Sequence, residues 1–393
     1  MSPELRTRFE PEEELLLCCA RTQATDESQR RVEQLLEGEV DWDRLLAIAA
    51  RHGVIPLLGR HLHAFSASMP QKTHEHLVQI ARRTAIHALE MNAEFMRLVD
   101  LFAERSITVL ALKGPVLAQL VYGNAGLRSF GDLDFLVHPS EYDAARDLLL
   151  AEGYRPLRQF TPEEEAEYMA GEKSFEFVRG RVVVELHWSI LHARNTYIPD
   201  TEELWARARP VLFDGTPVLS LPPEDLLFYL CAHGASHYWG SLKWLCDVAE
   251  LLRLFHQELN WMYVVEQAHQ RSGTRMLLLG LLLAAELLDA PLPPDLERRA
   301  RGDSQVMRLL GLAPQWLFRP PEGPQWSVLR EYFTFALRER IRDRVPFLLS
   351  LAARSMQLSE RDHALVNLSP RARYLYYVVR PFRIISGLVG RRM

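Results

Sequence analysis

Two aspartates one residue apart, Asp132 and Asp134, stand in the run Gly131-Asp132-Leu133-Asp134-Phe135-Leu136-Val137. The apolar residues around them suit a short strand, on which successive side chains point to opposite faces. Asp132 and Asp134 then share one face, while Leu133, Phe135 and Val137 point to the other. Two like charges side by side repel unless a cation sits between them. The hard ion that takes carboxylate oxygens together with substrate phosphates is Mg²⁺, so the spacing serves phosphoryl or nucleotidyl transfer. Nucleotidyl transfer uses two ions about 3.5–4 Å apart, one at the attacking oxygen and one on the triphosphate, and two carboxylates rarely suffice for both. Val182-Val183-Val184-Glu185-Leu186-His187-Trp188 offers a third, Glu185, with Val183 and His187 on its face of a strand. A glutamate turned inward amid β-branched residues is costly without a partner. The plainer alternatives are a solvent-facing Glu185 on a one-sided sheet, and turn or cap roles for the two aspartates.

A scaffold for these residues is legible on both sides of them. Thr108 to Lys113 reads as a strand, Pro115 to Tyr122 as a helix with proline in its first turn, Asp132 to Val137 as a strand, and Pro139 to Glu152 as a helix stopped by Gly153. After the polar stretch Pro162 to Glu167, Ser174–Val178 and Arg181–His187 flank Arg179-Gly180 as a β-hairpin, and a further strand is expected through Pro217-Val218-Leu219. Helical spacing marks Glu12–Arg21, Arg30–Leu36, Asp41–His52 with Asp41 as N-cap, Pro56–Phe65, Thr84–Arg105, and the region from Asp225 to Leu288. Pro291–Pro294 and Pro314–Pro324 read as proline-marked loops.

The order Gly114, helix, Arg128, then Gly131-Asp132-Leu133-Asp134 resembles the core of the DNA polymerase β-like nucleotidyltransferase superfamily. The chain is most similar to one bacterial branch, an uncharacterised nucleotidyltransferase family met in natural-product and peptide-modification gene neighbourhoods. The shared elements are Leu112-Lys113-Gly114, Asp132-Leu133-Asp134, Glu185-Leu186-His187-Trp188, and the helical segment from Cys231-Ala232-His233-Gly234 through Leu242-Lys243-Trp244-Leu245-Cys246-Asp247. The resemblance covers roughly residues 10 to 260 and returns weakly near Tyr376 to Arg383. It implies an α+β fold: a small mixed β-sheet nucleotidyltransferase core (106–222) between an N-terminal helical cap (1–105) and a C-terminal helical region (223–393).

Gly114 lets the backbone approach a phosphate, and the helix after it presents free N–H groups and a partial positive charge. The superfamily places Ser or Gly after that glycine, whereas Pro115 here has neither a hydroxyl nor an N–H to give. Lys113 and Arg128 are the expected phosphate contacts, with a charged sheet edge as the plainer role for Lys113. His233 and His237 have the spacing of a zinc pair, but Gly234, Ala235 and Ser236 between them lack the glutamate of a metalloprotease. The expectation is that His233, His237, Lys243 and Asp247, with Tyr238 and Trp244, line a cleft opposite the sheet, an aromatic stacking on the base and Lys243 meeting a phosphate. Local hydrogen bonding in a half-buried helix is the alternative.

A formal charge of −5 and a pI near 6.3 argue against a nucleic-acid partner held by bulk positive charge. The cysteines, Cys18, Cys19, Cys231 and Cys246, include an adjacent pair and no Cys-x-x-Cys, which suits a reducing cytoplasm. Met1-Ser2-Pro3-Glu4-Leu5-Arg6 does not start a secretory signal. The longest apolar run, Met276 to Ala285, is half of what a membrane span needs and reads as a buried helix. Arg371 to Met393 carries six arginines and no acid, interleaved with Tyr374, Tyr376, Tyr377 and Phe382; packing onto an acidic body is favoured over an anionic partner.

The expected activity is Mg²⁺-dependent transfer of a nucleoside monophosphate, AMP from ATP, to a small-molecule or peptide acceptor. Asp132, Asp134 and Glu185 would hold two metal ions, with Glu185 near the acceptor, and Lys113, Gly114 and Arg128 would engage phosphates. Phosphoryl transfer in the same site and a non-catalytic scaffold that keeps the fold are the rivals.

Overall fold

The computed structural model describes residues 8–192, 201–320 and 323–356. The arginine-rich segment Arg371–Met393 and the weak resemblance near Tyr376–Arg383 lie outside these residues. The chain falls into two units, one up to Leu337 and another from Arg338 onward.

The first unit is built around one mixed sheet of seven strands, in the order β3-β4-β5-β2-β1-β7-β6. These are β1 (Val109–Ala111), β2 (Asp132–Val137), β3 (Arg155–Pro156), β4 (Ser174–Arg179), β5 (Val182–His187), β6 (Arg209–Phe213) and β7 (Thr216–Ser220). Strand β2 runs parallel to β5 and antiparallel to β1, and β1 runs parallel to β7. The β2–β5 register sets Asp134 opposite Glu185 and Leu136 opposite His187. Because paired residues share a face, one register fixes where both acidic strands send their carboxylates.

Alternation along β2 sorts two cores. Leu133, Phe135 and Val137 join Val184, Leu186, Phe175 and Phe177 against the long helix Gln71–Glu104. There Phe135 stacks on Phe95 at 5.1 Å between ring centroids and meets Phe102 edge-on at 5.4 Å. Truncating a fully buried phenylalanine such as Phe135 costs about 3–5 kcal/mol. On the other side Leu110, Leu112 and Leu136 enter a larger core built from the helices Pro223–Ser236, Leu242–Phe255 and Thr274–Leu288. The run Met276–Ala285 is the buried centre of the last of these. No helix among the described residues is long and apolar enough to cross a membrane.

Several elements differ from the sequence expectation. The long helix begins at Gln71 rather than Thr84, and the stretch after Thr161 is a helix, Pro162–Gly171, whose start is closed by a capping box between Thr161 and Glu164. Strands β3 and β6 are additional; β3 has two residues, too few for a periodic pattern. The β4–β5 loop is Gly180-Arg181, one residue later than expected, because Arg179 pairs with Val182. Pro314 lies inside the helix Ser304–Phe318, where burial of Leu309, Leu310, Ala313, Trp316 and Leu317 outweighs the lost backbone bond. The segment from Cys231 to Asp247 is two helices, not one. They part at residues 237–241, where Tyr238 and Trp239 both take positive φ. The break brings the Trp239 indole back over Gly234 and Gly280, at each of which a Cβ would collide with the ring.

In the second unit, the described element after Arg338 is the helix Ile341–Met356, with Pro346 inside it.

Candidate active site

The turn from β1 into the helix Gly114–Tyr122 packs closely on the head of β2. Gly114 has φ +58°, and a Cβ there would lie 3.3 Å from the carbonyl oxygen of Asp132, so the turn and the head of β2 are in direct contact. Lys113, immediately before it, is 7% exposed and turns its ammonium to Asp134, with Nζ 3.2 Å from Oδ1. The same ammonium lies 5.8 Å from the centre of the Tyr229 ring, on the helix Pro223–Ser236. The Lys113 Nζ therefore sits between the sheet and the helical wall.

Asp134, Glu185 and His187 converge: each offers a ligand atom within 4.8 Å of the other two. His187 Nε2 lies 3.1 Å from Asp134 Oδ1 and 3.4 Å from Glu185 Oε2, bridging the parallel strands. Glu185 also accepts a short hydrogen bond from the Ser174 hydroxyl on β4 and pairs with Lys173 Nζ at 3.3 Å. Asp132 differs from both: it is half-buried and has no hydrogen-bond or ion-pair partner among the described residues.

The charges follow from this packing. Burial alone would raise the Asp134 carboxyl, but Lys113 and His187 outweigh it and hold Asp134 below the usual carboxylate range. Burial likewise opposes ionisation of Glu185, and His187 with Lys173 brings it well below its ordinary value. Asp132 is pushed upward, first by the Asp134 charge beside it and then by burial. Burial works against the Lys113 ammonium, yet Asp134 keeps it protonated, above the ordinary lysine value. An unpartnered carboxylate beside an ionised one is a place that attracts a cation, and the Asp134 and Glu185 oxygens suit a hard ion such as Mg²⁺, whereas Asp132, expected to converge with them, lies outside the Asp134–Glu185–His187 set. His187 suits a bridging donor better than a ligand, since its buried Nδ1 has no partner, whereas ligating histidines anchor the second nitrogen.

A model of the family described as "Uncharacterised nucleotidyltransferase" matches residues 38–289, more than half of the 393-residue chain. The chain belongs to this nucleotidyltransferase family. No curated protein matches it. Two solved structures are similar in part. The crystal structure of ANT(2")-Ia in complex with adenylyl-2"-tobramycin is 10% identical, covers 46% of this chain and 97% of its own, and has a TM-score of 0.34. The solution structure of the antibiotic-resistance factor ANT(2'')-Ia is 14% identical, with 47% and 92% covered and a TM-score of 0.35.

In this nucleotidyltransferase the wall facing the acidic cluster is aromatic. His233 and His237 lie 4.8 Å apart, the second as the cap of its helix, and Trp244 from the following helix stacks on His237 at 4.8 Å and meets His233 edge-on at 5.7 Å. Burial first, and Lys113 second, push both imidazoles down, His237 to about 4, so the wall is uncharged at neutral pH. Lys243 is half-buried with no hydrogen-bond or ion-pair partner among the described residues; burial and the nearby Arg128 lower its pKa. Its stem passes the backbone of Gly53, where a Cβ would lie 3.5 Å from Lys243 Cδ.

Arg128 and Asp247, both expected at the nucleotide, are instead joined to each other. Arg128 Nε and one terminal nitrogen reach the two Asp247 oxygens at 2.7 and 2.9 Å, and the Tyr122 hydroxyl donates to Oδ1 at 2.7 Å. The pair ties the loop before β2 to the helix Leu242–Phe255. Lys113, too, meets a carboxylate rather than standing free. The sequence reading had no signal for Lys173, Ser174, Tyr229 or Tyr122, which lie outside the acidic motifs. The serine was detectable only through the β4–β5 register, which sets Ser174 opposite His187, two positions from Glu176, the direct partner of Glu185.

Proposed function

We propose that the protein transfers a nucleoside monophosphate, AMP from ATP, to a hydroxyl, phosphate or carboxyl of a small-molecule or peptide acceptor in an Mg²⁺-dependent reaction that releases pyrophosphate. The observation that carries this reading is the unpartnered Asp132 beside the ionised Asp134 and Glu185, directly under the Gly114 turn. Asp134 and Glu185, with Asp132 beside Asp134 on the same strand, are the residues that would hold Mg²⁺, which supplies charge neutralisation for the triphosphate and the departing pyrophosphate. The Gly114 turn receives phosphate oxygens on its backbone, and Lys243, which has no ion-pair partner among the described residues, meets a further phosphate. The neutral His233–His237–Trp244 wall stacks on the base. Glu185, ionised and held by Ser174, Lys173 and His187, is too weak a base to take the acceptor's proton and instead fixes the acceptor side of the metal site, the proton passing to water. Arg128 and Asp247 act behind this wall as a brace. Four free cysteines fit work in a reducing cytoplasm.

Two readouts test the proposal. Isothermal calorimetry with α,β-methylene-ATP and Mg²⁺ should give saturable binding that Asp132→Asn weakens at least tenfold. With ATP and a panel of aminated, hydroxylated and peptide acceptors, turnover should release pyrophosphate; ADP as product would mean phosphoryl transfer. Absence of any nucleotide binding by the wild type would favour the non-catalytic reading to which Pro115, with no N–H to offer, points.

A further inference from the structure

Away from the acidic cluster, a cleft of about 420 Å³ lies between the helix Ile55–Leu62, the long helix Gln71–Glu104 and the short turn Ala125–Leu127. Small-molecule sites run from about 300 to 1,000 Å³, so its size suits such a ligand. The sequence builds the cleft by leaving volume out. His74, Leu77, Val78, Ala81 and Ala85 fall on one face of the long helix at helical spacing, and the two alanines set the wall back where larger side chains would fill the space. Gly59 brings the facing helix close at one point: a Cβ there would lie 4.0 Å from Leu77 Cδ2. Beside that contact Val78 is left 50% exposed.

The polar groups that line this apolar cleft are few, and none is a carboxylate. Arg60 stands exposed at its edge with no hydrogen-bond or ion-pair partner among the described residues. His63 and His74 lie with their rings 25° from parallel and 6.0 Å between centroids, and the His74 Nε2, shielded from water, has no hydrogen-bond partner. The Asn124 side-chain oxygen is already used, accepting from the Gly126 N–H at 2.8 Å and holding the turn. A guanidinium without a counter-ion forks onto the two oxygens of a carboxylate, and an apolar wall is relieved of water by an apolar body. One molecule that carries both features satisfies the two ends of the cleft.

We propose that this cleft binds a small, largely apolar carboxylic acid, with its carboxylate on Arg60 and its body against Leu77, Val78, Ala81 and Leu127. Binding makes and breaks no covalent bond. A cationic ligand would be repelled by Arg60, and a sugar would leave the apolar wall without a partner. The inference does not rest on the nucleotide-binding reading, since none of Asp132, Asp134, Glu185 and Lys243 lines the cleft. It touches that site at one place: the turn Ala125–Leu127, which walls the cleft, leads directly into Arg128.

The probe is 1-naphthoate, a fused apolar ring with one carboxylate, and its neutral counterpart is 1-naphthol. Titrated into the full chain labelled at its methyl groups, 1-naphthoate should shift the Met69, Leu77, Val78 and Leu127 resonances together and saturably, with a Kd below about 1 mM. Absence of saturable binding, or shifts confined to methyls elsewhere, would overturn the inference. In calorimetry Arg60→Gln should weaken 1-naphthoate about tenfold, the loss of a charge-assisted pair, while 1-naphthol stays within about twofold. An unchanged 1-naphthoate affinity in Arg60→Gln would overturn the assignment of the carboxylate. Ala81→Trp, checked for folding by circular dichroism, fills the cleft and should remove both ligands; if it does not fold, Ala85→Phe at the exposed edge serves in its place. Binding that survives unchanged in the folded filled variant would overturn the site.

Discussion

Replacing Arg128 separates a brace from a nucleotide contact. The guanidinium is 4% exposed and Asp247 1% exposed, with two ion-pair hydrogen bonds between them and a third from Tyr122. Removing one member of a buried pair leaves the other charge uncompensated, at a cost of about 3–5 kcal/mol, whereas replacing both by apolar residues of similar volume is often neutral. Arg128→Met should therefore lower stability by about 3–5 kcal/mol. In Arg128→Met/Asp247→Leu the residual loss should fall to about 1–3 kcal/mol, the desolvation penalty of the Tyr122 hydroxyl left without its acceptor. Urea unfolding followed by tryptophan fluorescence, run as a double-mutant cycle, measures both values and their coupling. The double variant should still bind α,β-methylene-ATP within a few-fold of wild type. If Arg128→Met costs less than about 1 kcal/mol yet abolishes nucleotide binding, the brace assignment is refuted and Arg128 belongs at the phosphates.

Lys243→Ala should weaken nucleotide binding about tenfold in calorimetry and leave the thermal midpoint unchanged or slightly higher, because a half-buried ammonium without an ion-pair partner contributes no stability of its own. Gly114→Ala should cost about 1–2 kcal/mol for the left-handed backbone and, by pressing on the Asp132 carbonyl, weaken nucleotide binding; unfolding midpoints and calorimetry test the two parts separately. Gly234→Ala, which drives a methyl into the Trp239 ring, should destabilise by about 1–3 kcal/mol or more, read from the urea midpoint. His52 is fully buried, and burial with the neighbouring Arg51 lowers its pKa to about 4. Since this lies below the unfolded value near 6.5, the unfolded chain takes up the proton first. Stability present above pH ~6.5 is then lost as pH falls toward ~4, by about 2–3 kcal/mol for this group. His52→Asn should flatten that part of the pH–stability curve, and an unchanged slope would exclude His52 as its source.

The sequence by itself determined the chemistry-bearing strands. A period of two places Asp132 and Asp134 on one face and Leu133, Phe135 and Val137 on the other, and β2 spans the expected residues Asp132–Val137. Glu185 was legible as a third carboxylate because a charged residue in a β-branched run demands a reason. The apolar run at Met276 announced a buried helix for the same reason of burial. What only the tertiary structure decided is which charges meet, because pairing across the chain leaves no local pattern. Arg128 and Asp247 are 119 positions apart, and Lys113 reaches Asp134 only because β1 and β2 are antiparallel neighbours. Three consecutive glutamates, Glu12, Glu13 and Glu14, would by composition face water. They are buried instead because Arg44 and Arg31 reach them from other helices at 2.6–2.7 Å. The parting of the Pro223–Ser236 and Leu242–Phe255 helices was equally unreadable, since the positive φ at Tyr238 and Trp239 is stabilised by an indole that finds its space only against Gly234 and Gly280. Local sequence thus set which residues could do chemistry, and the long-range ion pairs set which of them are left free to do it.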